Sequence, residues 1–397
     1  MRPLPFPEAR QCVLERVRAA RLIPPVEEIP LEAAAGRVLA EEVVADRDYP
    51  PVARSLRDGF AVRTADMPGR VRLIGEVRAG QTYTGEVRAG EAVEIMTGAS
   101  APASADAVVM VEHVRRDGEF VIIDQPAQPG QWINPQGAEV RHGERVLEGG
   151  RRMGFSEVAM LATVGRTRLR VCRQPRVAII PTGDEVVEVS EAALAHQVRN
   201  SNAHSLAVQV RRAGGVPEIL PVAADVHAAT RALVERGLKQ DLLLLSGGVS
   251  AGKYDIVEHV LANLGAEFYF DRVLIQPGQP LVFGRAAGTF FFGLPGNPAS
   301  TMVTFELFAR AAQELLEGQS GTVLPLLLAR LTTDFRHKPG LTRFLPARIA
   351  ADGLEVTPIP WHGSSDVPAV AHANAFLVAD PERESWQAGD LIRVLLK

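Results

Sequence analysis

The sequence predicts a multidomain α/β plus β protein: a central wound α/β domain, an inserted β domain ahead of it and a small C-terminal β domain. Three observations carry this reading. From Arg176 onward, apolar runs of strand length alternate with segments of helical period. From Val71 to about Gly150 the texture is instead short alternating runs punctuated by Gly and Pro. After about Val323 the chain returns to short strands. The 397 residues leave room for two to four domains with real cores. The changes of texture divide the chain into an N-terminal linking domain (1–50 and 145–175), a β domain (51–144), an α/β domain (176–322) and a C-terminal β domain (323–397).

In chain order, "PEARQCVLERVRAARL" (7–22) places Val13, Val17 and Ala20 on one helical face and reads as a short amphipathic helix. "LEAAAGRVLAEEVVA" (31–45) is a second element, and 47–62 a proline-containing connection ending in a strand. "GEVRAG" occurs at 75–80 and again at 85–90, and the two copies read as neighbouring strand-turn units. The arginines of 141–176 read as a solvated face of a connecting segment. "RVAIIP", "DLLLLSGG" and "TFFFGLPGN" are buried-type strands. "SNAHSLAVQVRRAGG" is a helix with a Ser or Asn cap, and "DVHAATRALVERG" a second with Asp225 as N-cap. "YDIVEHVLANLG" and "PASTMVTFELFARAAQELLEG" complete the set, the latter with Pro298 near its start. "LPLLLARL", "TRFLPARI" and "LIRVLL" supply the C-terminal strands.

Composition excludes several classes. Hydrophobic residues at 46% and charged residues at 23% are ordinary for a globular protein. A net charge of -4 offers no electrostatic case for nucleic acid. Cys12 and Cys172 are isolated, so neither a disulfide framework nor a C-x-x-C metal pair is expected. The histidines show no metal-ligating spacing. No apolar run has membrane-spanning length, and "MRPLPFPEAR" lacks a signal-peptide core, so a cytoplasmic protein without membrane partners is expected.

Open α/β sheets bind ligands beyond the carboxyl ends of their strands. Four segments end strands here with unusual residues: "PTGDE" (181–185), "LSGGVSAGKYD" (245–255), "QPGQP" (276–280) and "GLPGNP" (293–298). In the second, Gly247, Gly252 and Lys253 match the spacing of a nucleotide-binding P-loop, but Tyr254 stands where a metal-binding hydroxyl is required. Glycines allow close backbone approach to an anion, and a following helix offers free N–H groups. "SGGVSAG" therefore suits a phosphate, or forms a tight strand-to-helix turn without a ligand. Asp255 is placed either to ligate magnesium or to cap the next helix. Asp225 and Glu185 are further carboxylates near strand ends. In the first half, Asp58 before Gly59 and Thr97 before Gly98 are each compatible with ordinary turn chemistry.

Taken together, these stretches resemble the molybdopterin molybdenumtransferase family, the bacterial MoeA proteins and the C-terminal domain of gephyrin. "SLRDGFA" is similar to the family's S-x-x-D-G-[YF]-A, and "TGASAPASADAVV" to T-G-A-x-x-P-x-G-A-D-x-V-V. "PTGDEV" resembles [ST]-T-G-[DS]-E-[LV]. "SGGVSAGKYD" resembles S-G-G-[VA]-S-x-G-x-x-D, and "GLPGNPAS" resembles G-L-P-G-N-P-[VA]-S. The resemblance spans nearly the whole chain in motif order. It implies an α/β domain of the molybdopterin-binding type, in which Gly252-Lys253 matches the P-loop spacing by accident.

The implied activity is insertion of molybdate into adenylylated molybdopterin with release of AMP, dependent on Mg2+ or another divalent cation. The implied catalytic residues are Asp58, Thr97, Glu185, Asp225 and Asp255, with Glu185 and Asp255 toward the metal. Substrate binding falls to Ser246, Gly247, Gly248, Val249, Ser250 and Gly252, and to Pro295, Gly296, Asn297 and Pro298. A homodimer with a shared cleft is implied, the β domain of one subunit facing the α/β domain of the other, and the upstream adenylyltransferase is an implied partner. Two stretches depart from the family pattern. Gln279 stands where lysine is frequent in [KQ]-P-G-K-P, and "WINPQGAEV" carries Asn134 and Ala138-Glu139 in place of the arginine and acidic pair of N-I-R-x-x-G-E-D. The alternatives are a pterin-binding relative without turnover and a nucleotide-hydrolysing α/β enzyme.

Overall fold

The computed structural model describes residues 2–223, 227–247 and 256–397. The chain divides into two units: Met1–Ala40 with Gly149–Met153 and Arg170–Lys397, and Glu41–Glu148 with Gly154–Leu169. Among the described residues no helix is long and apolar enough to cross a membrane.

The first unit is organised by a six-stranded sheet in the order Val216–Ile219, Arg176–Pro181, Leu242–Ser246, Thr289–Leu294, Pro280–Ala286, Glu267–Arg272. The first four strands are parallel, as the alternation of strand and helix predicts. The last two are antiparallel and were not legible as strands. The hairpin that joins Pro280–Ala286 to Thr289–Leu294 turns at Ala287 and Gly288, both at positive φ (48° and 88°). That geometry usually carries Asn-Gly, and "AAGT" does not advertise it.

Both faces of the central strands are covered, which is why they read as continuous apolar runs. Val177, Ile179, Leu242, Leu244, Phe290 and Phe292 join one core with Leu206 and Val210 of the helix Ser201–Arg212. The residues between them, Ala178, Ile180, Leu243, Leu245 and Phe291, join a second core with Val234, Val257 and Val260. Each such fully buried Leu, Ile or Phe contributes roughly 1.5–3 kcal/mol, so the strand register is strongly held. The segment from Pro298 to Leu316 is helical throughout, with a π-helical stretch over Phe305–Ala309.

The N-terminal helix, Phe6–Ala19, buries Ala9, Val13 and Val17. Ala20, expected on the same face, is instead the residue that ends the helix. Phe6 packs edge-on against Phe308 and Phe344, with ring centroids 5.8 and 5.2 Å apart. The stretch 31–45 forms a 3-10 turn, Leu31–Ala33, and a two-residue strand, Val43–Val44.

The C-terminal strands Leu326–Leu331, Thr342–Ile349 and Leu391–Leu396 lie where expected. Glu355–Pro358 and Ala375–Ala379 complete the sheet, which closes on itself through pairing of Ala375–Ala379 with Thr342–Ile349. Ile275–Gln276 adds to it in parallel with Thr342 and Arg343.

The second unit carries a six-stranded sheet in the order Ala107–Met110, Gly59–Val62, Glu91–Ile95, Gly69–Val77, Phe120–Ile123, Val114–Asp117. The first "GEVRAG" copy ends a strand, as expected, with Val77 opposite Ile95. The second copy is not a strand. Its Val87 is buried, but its amide donates to the Ser104 hydroxyl at 2.8 Å and not to a neighbouring strand.

The arginine-rich segment 141–176 is mostly solvated, as expected, with Arg141, Arg145, Arg151, Arg168, Arg170 and Arg176 exposed. It contains the helix Phe155–Thr163. Its Arg152 is only part-exposed: it donates to the carbonyls of Gly36 (2.6 Å) and Ala213 (2.9 Å) and pairs with the fully buried Glu317.

Candidate functional site

A cavity of about 810 Å³ opens at the carboxyl ends of the parallel strands of the first unit. Its wall is built by the turns that follow three strands. After Arg176–Pro181 come Thr182 and Glu185, and Leu242–Ser246 runs into Gly247. Thr289–Leu294 is followed by Pro295, Gly296, Asn297 and Pro298. Gln276, Gly278 and Gln279 close another side. Ser364 and Ser365 reach in from the C-terminal region.

The strand-end turns are tightly interlocked. Thr182 donates its amide to the Ser246 carbonyl at 3.0 Å, and Gly247 donates its amide to the Leu294 carbonyl at 3.1 Å. Gly247 adopts φ +97°, and a Cβ there would stand 2.7 Å from the Thr182 carbonyl oxygen. Glycine is therefore required twice over, by conformation and by contact. Gly278, at φ +101°, is similar: a Cβ would stand 2.4 Å from Thr304 Cγ2. Asn297 Nδ2 donates to Ser364 Oγ at 2.8 Å, and the Ala299 amide to the Ser364 carbonyl at 3.0 Å. The segment carrying Ser364 is held by Asp366, whose carboxylate accepts the amides of Ala369 (3.0 Å) and His362 (2.9 Å). Those bonds, Ala369 first, lower its pKa below the usual carboxylate value.

The lining is mostly neutral. Among the described residues, its charged side chains are Glu185 and Arg199. Arg199 donates its Nε to the Glu191 carbonyl at 3.1 Å. Among the described residues no group of three or more His, Cys, Asp or Glu is arranged to hold a metal ion.

Of the expected site residues, Glu185, Ser246, Gly247, Pro295, Gly296, Asn297 and Pro298 line this one cavity. Asp225, Gly248, Val249, Ser250, Gly252 and Asp255 lie outside the described residues.

Asp58 and Thr97 belong to the second unit and meet there. Asp58 Oδ1 accepts the Thr97 amide at 2.6 Å and the Thr97 hydroxyl at 2.8 Å. The amide bond first, then the hydroxyl bond, lowers the Asp58 pKa, so the exposed carboxyl is ionised at neutral pH. Gly59, which reads as turn chemistry in sequence, instead begins a strand. A Cβ there would stand 2.0 Å from the Val109 carbonyl oxygen, so the neighbouring strand leaves no room for a side chain. The divergent Asn134 and Glu139 also lie in this unit, where Asn134 Nδ2 donates to Glu139 Oε1 at 3.1 Å.

Sequence reasoning missed Asn202, Arg199 and Ser364 at the cavity. Asn202 had a signal, since it follows the predicted cap in "NSNAHS". Asn200 is the cap, its Oδ1 accepting the Ala203 amide at 3.2 Å, and Asn202 is free for another task. Ser364 had none, because only tertiary packing brings 364 to 297.

Three family profiles match successive parts of the chain. They are the MoeA N-terminal region (domain I and II) over residues 4–165, a probable molybdopterin binding domain over 178–315, and the MoeA C-terminal region (domain IV) over 328–397. The chain is 32% identical over 378 residues to a molybdopterin molybdenumtransferase of Staphylococcus epidermidis, covering 93% of this chain and 90% of that protein. It is 33% identical over 366 residues to one of Synechocystis sp., covering 89% and 91%. A solved molybdopterin biosynthesis moeA protein from Pyrococcus horikoshii OT3 superposes with a TM-score of 0.82 at 27% identity, covering 100% of both chains.

Proposed function

The chain belongs to the molybdopterin molybdenumtransferase family, and on that premise we propose that it inserts molybdate into adenylylated molybdopterin and releases AMP. The observation that carries the reading is the convergence of Ser246-Gly247 and Pro295–Pro298 on one cavity at the strand ends, where glycine-bearing backbone allows close approach of an anion. Cleaving a phosphoanhydride requires neutralisation of charge developing on its oxygens.

Magnesium is characteristically held by one or two carboxylates together with substrate phosphate oxygens, and Glu185 at the cavity has the right donor chemistry. In this reading Glu185 and Asp255 would hold the ion, which when bound would neutralise charge on the phosphoanhydride oxygens. The chain's own groups bind and orient: the glycine-bearing turns take the phosphate-bearing part of the substrate, and the side-chain amides of Gln276 and Gln279 offer neutral hydrogen bonds, Gln279 standing where the family often has a lysine.

The protein acts in the cytoplasm as a homodimer in this proposal, receiving its substrate from the upstream adenylyltransferase. Asp58 and Thr97 of one subunit complete the cavity of its partner. The four-part division at 50, 144, 175 and 322 is kept as part of the same reading.

The deciding experiment is AMP release from adenylylated molybdopterin, with and without molybdate, in magnesium and in excess EDTA. AMP release that requires both molybdate and magnesium is expected. Pterin binding without AMP release would replace the enzyme with a silent binding relative, and the neutral Gln279 at the cavity is the observation that favours that second reading. ATP turnover without pterin would point to a nucleotide hydrolase.

A further inference from the structure

Asn202 sits one residue inside the start of the helix Ser201–Arg212, on the cavity wall. Its Nδ2 donates to Ser246 Oγ at 2.9 Å and to the Gly296 carbonyl at 2.7 Å. The orientation of the carboxamide follows from its partners. A backbone carbonyl only accepts, so the group facing Gly296 must be the NH2. Oδ1 is then buried without a hydrogen-bond partner among the described residues.

An unsatisfied buried acceptor is destabilising. On the wall of a cavity, an acceptor without a partner among the described residues points to function more than to folding. What the NH2 group joins is specific. Ser246 ends one parallel strand, and Gly296 follows the end of the next, where Ser246 and Leu294 are register partners. Beyond these ends the two backbones nearly touch, since a Cβ on Gly296 would stand 3.5 Å from Gly247 Cα. A side chain reaching from the helix to a hydroxyl and a carbonyl together needs two donors at one point. Asparagine has them, aspartate has none, and serine is shorter with a single donor.

We propose that Asn202 is the positioning residue that holds Ser246 and Gly296 at the spacing in which the two glycine-bearing turns bind the pterin substrate. This rests on the function proposed above and adds to it the residue that sets the geometry of the cradle.

The test uses the full-length protein and the variants N202A, N202D and S246A. Molybdopterin affinity is measured by calorimetry, thermal stability by circular dichroism, and AMP release by steady-state kinetics. N202A should remain folded, with a Tm lowered only modestly, because the loss of two hydrogen bonds is partly offset by removal of the unpartnered acceptor. Its molybdopterin affinity should fall about tenfold, the scale of losing hydrogen bonds that order a site. The loss should appear in KM with kcat little changed. N202D, nearly isosteric but without donors, should bind as poorly as N202A. In a double-mutant cycle N202A and S246A should be non-additive, since both break one linkage. A purely structural role would lower Tm and leave the affinity of the folded protein unchanged. Wild-type affinity, within about twofold, in both N202A and N202D rejects the role of Asn202 alone. A wild type that does not bind molybdopterin rejects the underlying functional reading, and this inference with it.

Discussion

Asp58 Oδ1 accepts two hydrogen bonds from one residue, the amide of Thr97 at 2.6 Å and its hydroxyl at 2.8 Å. Both donors favour the charged carboxylate and lower the Asp58 pKa. The folded pKa lies below the unfolded one, so the associated stabilisation is present above the ordinary carboxylate range. It is lost as pH falls through the depressed value. Thr97→Val removes the hydroxyl bond and keeps the larger contribution, that of the amide. The Asp58 carboxyl should then titrate at higher pH than in wild type but still below an unperturbed aspartate, read by NMR of the labelled side-chain carboxyl carbon. Identical titration in the two proteins would show that the hydroxyl contributes nothing.

The shared-cleft proposal makes a quantitative prediction. Asp58→Ala and Glu185→Ala should each be inactive as homodimers. Mixed through unfolding and refolding, they should give heterodimers in which one cleft carries both lesions and the other carries neither. With random pairing, half the dimers are mixed and half their sites intact, so activity should return to about a quarter of wild type. Heterodimers verified by two differently sized tags, yet without regained AMP release, would reject the arrangement.

Gln279 lies exposed at the cavity, on a turn whose carbonyl accepts the Val273 amide at 3.0 Å. Gln279→Lys places an ammonium at a neutral wall, and charge-assisted hydrogen bonds are about twice as strong as neutral ones. The KM for molybdate should drop roughly threefold to tenfold, with the gain shrinking at high salt. A molybdate dependence that does not move with the substitution takes position 279 out of the oxyanion site.

Gly59 carries a steric prediction. A Cβ would stand 2.0 Å from the Val109 carbonyl oxygen, within a sheet where Gly59 pairs with both Ile95 and Met110. Neither neighbour is a flexible side-chain end, so Gly59→Ala must displace a strand. The loss in stability should be about 1–3 kcal/mol, as for other overpacked sites. Denaturant unfolding monitored in the β unit reads it, and an unchanged midpoint would show that the sheet yields without strain.

The fold was legible wherever local pattern and burial agree. Leu242–Ser246 reads as a strand because both of its faces are covered, and Phe6–Ala19 reads as a helix because Val13 and Val17 recur one turn apart on its buried side. Where burial is managed non-locally, the pattern misled. Val87 is buried without belonging to a strand because a serine hydroxyl serves its amide. Arg152 reads as solvent-facing by type, yet the carbonyls of Gly36 and Ala213 and the carboxylate of Glu317 provide it with an interior partner set.

The sequence by itself determined the strand-end turns that line the cavity. Gly247 and Gly278 stand at positive φ in close contact with neighbouring atoms, and such backbone demands are met by residue type alone. The tertiary structure alone decided which groups those turns would meet. Asn202, Ser246 and Gly296 converge although 44 and 94 residues separate the first from its two partners. Ser364 reaches Asn297 across 67 residues. The convergence follows from parallel pairing of strands whose side chains are buried on both faces, a long-range register that no local spacing encodes.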